Sequence, residues 1–295
     1  MGFIISKIAK VPDERIRRFL KVILSSIIRE ISQQDPGDLR IRRRKEPIHD
    51  ALVIEMYLHN LKKQYDNIMS FYAIRNNTPE SIGDALIWRG NAKDYDVVSS
   101  KLSDSSVDIV ITSPPYATAL PYIDTNRLNM LVLGGINASK RISIEAEMTG
   151  TREINKTTRE TYEQCIRAKD FGCIVSDTAK RVITDIYNGN ENADVGFRKK
   201  NMAALIYMYF GDMTSVMQTL DRVVKPGGYV CIVIGDTKTT TGDGKVIIRT
   251  TQVLRETGER MGWRLVSDIP ISVTKEKYVH MNNSITENDI LILRK

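Results

Sequence analysis

Cysteine is scarce in this 295-residue chain, and so is histidine. Cys165, Cys173 and Cys231 show no metal-ligand spacing, and only three histidines could assist them. That pattern argues against a zinc site and a disulfide framework, so a reduced, cytoplasmic compartment without metal is expected. Long apolar runs are missing too: none approaches the roughly 18 residues that a membrane helix needs. The amino terminus, Met1 to Lys7, has too short an apolar stretch for a signal peptide. Gly2 and Ser6 superficially fit an acylation pattern, but the segment reads better as the end of a helix. Internal repeats and low-complexity tracts are absent.

What is present is a globular composition with an uneven surplus of positive charge. The net charge is +7. Residues 1–50 hold twelve Lys/Arg against seven Asp/Glu, so most of the surplus lies in the first sixth of the chain. A polyanionic partner and a solvated basic face both suit such asymmetry. Pro12-Asp13-Glu14 starts a helix with acids in its first turn, and Ile16, Phe19, Leu20, Ile23, Ile27, Ile28 and Ile31 recur at helical spacing to about Ser32. Asp35-Pro36-Gly37-Asp38 breaks it. The run Arg40, Ile41, Arg42, Arg43, Arg44, Lys45 follows. Guanidinium forks match phosphate oxygens, which makes Arg40, Arg42, Arg43, Arg44 and Lys45 candidate contacts to a nucleic-acid backbone, with a solvated loop as the alternative. A second long helix is expected from His49 to Ile74, with Leu52, Met56, Leu61, Tyr65, Ile68 and Tyr72 on its apolar side.

Strand and helix signals then alternate. Ala85 to Trp88 reads as a short strand. Val107 to Thr112 is a β-branched apolar run that reads as a buried parallel strand. It stops at Ser113, Pro114, Pro115 and Tyr116, because prolines cannot continue a ladder. Residues 136–200 read as helices and loops, a structural insertion or a recognition element. A helix over 201–224, the turn Lys225-Pro226-Gly227-Gly228, a strand from Tyr229 to Ile234 and Gly235-Asp236 follow. A helix over 248–261 and strands over 263–273 and 289–293 complete the chain. This alternation predicts an α/β fold with a parallel sheet and an antiparallel last strand.

Thr112-Ser113-Pro114-Pro115-Tyr116 behind an apolar strand resembles the signature of the amino-methyltransferases, S-adenosylmethionine-dependent enzymes that methylate exocyclic amines of DNA bases. The turn at 225–228 and its strand resemble the fifth-strand region of many methyltransferases. No Pro-Cys dipeptide occurs, so the cytosine carbon-5 enzymes, which need a thiolate, are not matched. The resemblance implies S-adenosylmethionine as cofactor, DNA as partner, and Ser113, Pro114, Pro115 and Tyr116 as the catalytic group. Ser113 and the Pro114 carbonyl would accept hydrogen bonds from the target amine, Pro115 would fix the turn, and Tyr116 would stack on a flipped base. Ser at the first position resembles the cytosine-N4 enzymes more than the adenine-N6 ones. Asn91 stands where the family carries an acid facing the cofactor's adenine, and with Thr112 it is the cofactor contact implied. The expected division is a helical, DNA-contacting segment over 1–80, a catalytic core over 81–135 and 201–295, and an insertion over 136–200 that is a candidate target-recognition element.

One family feature has no counterpart. The glycine loop that approaches the cofactor, a strand followed by Asp-Pro-Phe-x-Gly-x-Gly, is not found; Gly242-Asp243-Gly244 follows a Thr-rich loop and reads as a loop tip. Gly2 to Lys7 resembles the helix that follows the second strand in single-chain relatives. The expectation is therefore an incomplete Rossmann-like sheet, one half of a split enzyme of a restriction-modification or related system. A second polypeptide, or self-association, would complete it by strand addition. The alternatives are a DNA-binding subunit without its own catalysis and an RNA amine methyltransferase.

Overall fold

The computed structural model describes residues 1–37, 42–77, 83–117, 122–272 and 287–295. The chain divides into two compact units, one of residues 1–88 and 121–143, the other of residues 89–120 and 144–295.

The first unit is helical. Helix α1 (Gly2–Ala9) precedes α2 (Glu14–Ile27) and α3 (Val53–Asn77). Asp13 caps α2, its carboxylate accepting the amides of Arg15 at 2.8 Å and Ile16 at 3.1 Å. Those bonds, that to Ile16 foremost, hold the Asp13 carboxyl below its usual range. Ile23, Leu24 and Ile27 of α2 bury against Ile4 and Ile8 of α1 and Tyr57 of α3. Only part of the stripe expected on the second helix is used: Met56 and Leu61 pack on this cluster, whereas Leu52, Tyr65, Ile68 and Tyr72 stay 59%, 57%, 38% and 49% exposed. The reason is length. The 14 residues of α2 cannot cover the 25 of α3.

In the second unit, α4 (Tyr95–Ser99) leads to β1 (Val107–Thr112). Helix α5 (Tyr122–Gly134) belongs to the first unit, and α6 (Ala138–Glu147) runs across the division. Then come α7 (Lys156–Arg167), α8 (Asp177–Glu191), α9 (Phe197–Lys200) and α10 (Met202–Val223). Strand β2 (Val224–Ile234), β3 (Thr237–Thr240), β4 (Lys245–Ile248), α11 (Thr250–Arg260), β5 (Arg264–Ser272) and β6 (Glu287–Arg294) complete the order. The main sheet has the order β1-β2-β6-β5, with β1 parallel to β2 and the other pairs antiparallel. It is a mixed α/β fold with a partly parallel sheet.

Alternation along β2 sets the core. Val230, Ile232 and Ile234 point into it with Leu291 and Leu293 of β6, while Tyr229, Cys231 and Val233 are only half covered. Helices α8, α10 and α11 supply the other side, with Ile183, Ile186, Ile206 and Met217 fully buried. Each such side chain contributes about 2 kcal/mol. By contrast α9 buries none.

Four expectations are corrected. Residues 85–88 form no strand, and Ile87 is 91% exposed. Their apolar character suits a strand, but a strand needs a neighbour to pair with. Strand β1 is not buried either: Ile109 and Ile111 are 53% and 73% exposed. It pairs with β2 on one side, and among the described residues no strand lies on the other. The turn at 225–228 is a bulge within β2, where the register jumps between Val107 opposite Val224 and Ile109 opposite Tyr229. Gly228 is required there, since a Cβ would stand 2.9 Å from the Asp108 carbonyl oxygen. The Thr-rich loop is in fact the β3–β4 hairpin. None of the described helices is long and apolar enough to cross a membrane.

Candidate active site

The last paired residue of β1 is Thr112, opposite Ile232, and Ser113-Pro114-Pro115-Tyr116 leaves the sheet at its carboxyl end. Open α/β sheets hold their ligands there. Three distant elements grip this turn. From α10, the buried Tyr209 donates its hydroxyl to the Pro115 carbonyl at 2.8 Å. From β6, the buried Asn288 meets the Tyr116 phenol, the amide nitrogen donating at 2.8 Å and the amide oxygen accepting at 3.0 Å. Gly150, after α6, lies flat against the turn at φ +77°, and a Cβ on it would come within 2.9 Å of the Tyr116 carbonyl oxygen. Only glycine fits a position so close in a left-handed conformation.

The grips leave one edge open. Ser113 is exposed, and its hydroxyl makes no hydrogen bond among the described residues. No described amide outside the sheet donates to the Pro114 carbonyl. Both therefore remain available as acceptors. Tyr116 is half-buried, with part of its ring on the hydrophobic core. Thr237, just after β2, reaches the Ala117 carbonyl at 3.5 Å, so β2's end is tied to the same turn.

Asp236 lies at the end of β2. It is open to solvent on one side, yet the protein packed around the other pushes its carboxyl above the usual range, and Asp289 nearby adds to the rise. The Thr251 amide, 3.2 Å away, opposes that shift. Thr251 also donates its hydroxyl to Asp289 at 2.9 Å.

The implied cofactor contacts are placed less tellingly. Thr112 is half-buried at the end of β1. Asn91 is exposed, and its side-chain oxygen already accepts the Lys93 amide at 3.1 Å, a local turn into α4. That oxygen keeps a second lone pair. Lys93 is engaged elsewhere, 2.9 Å from Asp212.

The basic run lies in the first unit. Arg40 is outside the described residues. Arg42, Arg43 and Lys45 are exposed. Arg44 is not a free cation: its guanidinium donates to the carbonyls of Ser32 at 3.0 Å and Glu30 at 2.6 Å, closing the turns after α2. Among the described residues no group of three His, Cys, Asp or Glu is placed to hold a metal.

Sequence reasoning found the turn but not its supports. Tyr209, Asn288 and Asp236 carry no motif of their own, and Asn288 lies 172 residues from its partner. Gly150 had a signal, a glycine ahead of a charged segment, but nothing in the sequence tied it to Tyr116.

No protein-family model matches this chain. It is 25% identical over 252 residues to the type II methyltransferase M.BsoBI of Geobacillus stearothermophilus, an alignment covering 74% of this chain and 47% of the relative. The chain thus spans about half the length of the curated relative it matches. Two crystal structures of a candidate DNA modification methylase from Thermus thermophilus were also matched. One, the selenomethionine derivative, has a TM-score of 0.32 at 14% identity, covering 70% of this chain and 50% of that one. The other, complexed with S-adenosyl-L-methionine, has a TM-score of 0.33 at 16% identity, covering 70% and 53%.

Proposed function

We propose that this chain is the base-handling part of an S-adenosylmethionine-dependent DNA amino-methyltransferase. The observation that carries the reading is the Ser113–Tyr116 turn, fixed from three places at the carboxyl end of β1 with the Ser113 hydroxyl exposed and the Pro114 carbonyl unbonded among the described residues. The relationship to a type II methyltransferase supports it.

An exocyclic amine is a poor nucleophile because its lone pair is delocalised into the ring. The Ser113 hydroxyl and Pro114 carbonyl accept its two hydrogens and favour the pyramidal form. Tyr116, held at its phenol by Asn288, offers a ring face for the base, a stacking contribution of roughly 1–3 kcal/mol. S-adenosylmethionine, when bound, supplies a methyl on a sulfonium. Ser113 and the Pro114 carbonyl would hold the amine while its nitrogen takes up that methyl, and the proton it gives up would pass to solvent at the exposed turn. Orientation and fixed dipoles carry the rate. The serine at position 113 favours cytosine N4 over adenine N6.

The described residues fit the base side of such a site better than the cofactor side. Asn91 and Thr112 would contribute to the latter, but no described strand ends in a glycine loop. Among the described residues no strand pairs with the outer edge of β1, and its face at Ile109 and Ile111 is uncovered; both support a sheet completed by further strands and a covering layer. The supplier in this reading is a second polypeptide that brings the glycine loop and further strands, which makes the whole a split Rossmann-like enzyme.

Calorimetry of S-adenosylmethionine binding tests this, first with the chain alone and then with the neighbouring gene's product added. Binding only in the mixture is the expected result. Tight binding by the lone chain would remove the split, and methyl transfer undiminished in Ser113→Ala would remove the assignment.

A further inference from the structure

Beyond the site, the β3–β4 hairpin and the α9 turn are unexplained by the core. The hairpin leaves the carboxyl end of β2 one residue after Asp236. Its inner face is packed: Thr237 opposes Ile248 and Thr239 opposes Val246, with Ile248 buried and Val246 on the core. Its outer face pairs Lys238 with Ile247 and Thr240 with Lys245, all four exposed. Lys238 and Lys245 are therefore diagonal neighbours on one solvent face, about 7–8 Å apart.

The α9 turn carries Phe197, Arg198, Lys199 and Lys200. Phe197 is 64% exposed. No described carboxylate pairs with any of its three cations or with Lys238 or Lys245. An exposed aromatic beside cations offers a polyanion both charge and an apolar contact.

One buried side chain joins the two pieces. Asn190, at the end of α8, accepts the Gly242 amide of the hairpin tip at 3.2 Å and donates to the Lys199 carbonyl at 2.9 Å. Gly242 also donates to the Gly189 carbonyl at 2.8 Å. A side chain at Gly189 would collide with Thr241, whose Oγ1 would be 2.8 Å from the added Cβ. The hairpin tip and the cationic turn are thus fixed to the same end of α8. Arg198, Lys199 and Lys200 of the turn and Lys238 and Lys245 of the hairpin stand beside the carboxylates of Glu191, Asp194 and Asp243.

We infer that this composite surface binds the backbone of duplex DNA, separately from the Arg42–Lys45 run. The choice of DNA rests on the methyltransferase reading; the polyanion site does not. Lys238, Lys245, Arg198 and Lys200 meet phosphates, and Phe197 packs on the sugar or base edge beside them. Because the hairpin springs from the strand end beside the Ser113–Tyr116 turn, bound DNA is held next to that turn.

The test is the salt dependence of duplex binding by the full chain, measured by fluorescence anisotropy. Each phosphate contact contributes about −0.9 to the slope of log K against log salt. The triple variant Arg198→Ala, Lys238→Ala, Lys245→Ala is expected to lose about two to three units of slope. A control lacking Lys101, Arg255 and Arg264 is expected to keep it. An unchanged slope in the triple variant, an equal loss in the control, or no duplex binding by the parent chain at about 50 mM salt overturns the inference. Tighter binding of single-stranded RNA than of duplex DNA overturns the choice of partner. A lost slope in a chain that never methylates, even with the second polypeptide added, would leave the surface standing and remove the enzyme reading. Methyl transfer with an unchanged slope would do the reverse.

Discussion

The Tyr116 phenol and the Asn288 amide are joined by two contacts, at 2.8 and 3.0 Å, across 172 residues of sequence. The amide is buried on the first rungs of β6's ladder, opposite Ile271. The ring angle of Tyr116 is therefore set by a strand on the far side of β2. Asn288→Ala leaves the phenol without this partner, and is expected to lower stability by about 1–3 kcal/mol in urea denaturation. In a double-mutant cycle, Asn288→Ala and Tyr116→Phe should together cost less than the sum of the two single variants. Simple additivity of the two would deny the coupling.

Gly150→Ala tests the close approach behind the turn. The substitution places a Cβ against the Tyr116 carbonyl oxygen and strains a backbone at φ +77°. An expected loss of about 1–3 kcal/mol follows from the conformation alone. Methyl transfer should fall further than the stability change explains, because the turn must move to make room. Activity that tracks stability only would count against a positioning role.

Ser113→Ala removes one acceptor from the open edge and nothing from the core. The methyl-transfer rate is expected to fall on the order of 10²-fold, with the melting temperature unchanged. Radiolabelled methyl incorporation into duplex DNA, measured with the completed enzyme, reads this directly.

Glu256 gives a pH prediction. Burial alone would raise its carboxyl, but the hydroxyls of Ser176 and Thr178 and the Thr178 amide all donate to it, at 2.6, 2.6 and 3.0 Å. The balance holds it at about 2, from 4.5. A carboxylate depressed on folding stabilises fully above its unfolded pKa, and that contribution fades as pH falls toward the folded value. Stability should therefore decline between about pH 4.5 and 2, and Glu256→Gln should flatten that part of the curve. Thermal denaturation across the range checks it, and identical curves for the two proteins would discount the knot.

Arg44 and Arg43 should separate stability from binding. Arg44→Ala frees the carbonyls of Ser32 and Glu30 and is expected to destabilise the helical unit by about 1–3 kcal/mol. Arg43→Ala should leave the melting temperature alone and lower the salt slope of DNA binding by about one unit.

What could be read in the sequence was local. The Asp13 cap, the helical spacing in α2 and the apolar run of β1 each act over a few residues, so pattern sufficed. The 229–234 strand and its glycine turn were legible for the same reason, although the bulge at Gly228 needed the Asp108 carbonyl to explain it. Strand 85–88 failed because pattern records only a willingness to pair. The Thr-rich segment before Gly242 hid a hairpin, since its packed face depends on α8, fifty residues earlier. The supports of the site, Tyr209, Gly150 and Asn288, came from three separate stretches and shared no local mark.

Strand order has a further consequence for assembly. Strand β6 lies between β2 and β5, yet all three other strands of the sheet precede it in sequence. Until β6 inserts, β5 has no neighbour and β2 offers a bare ladder on that side. The sheet thus closes through one non-local pairing, of β6 with β2, and such contacts slow folding. The same event delivers Asn288 to Tyr116. A folding intermediate without β6 would present the Ser-Pro-Pro-Tyr turn with its aromatic ring unaimed, so the site matures only when the sheet does.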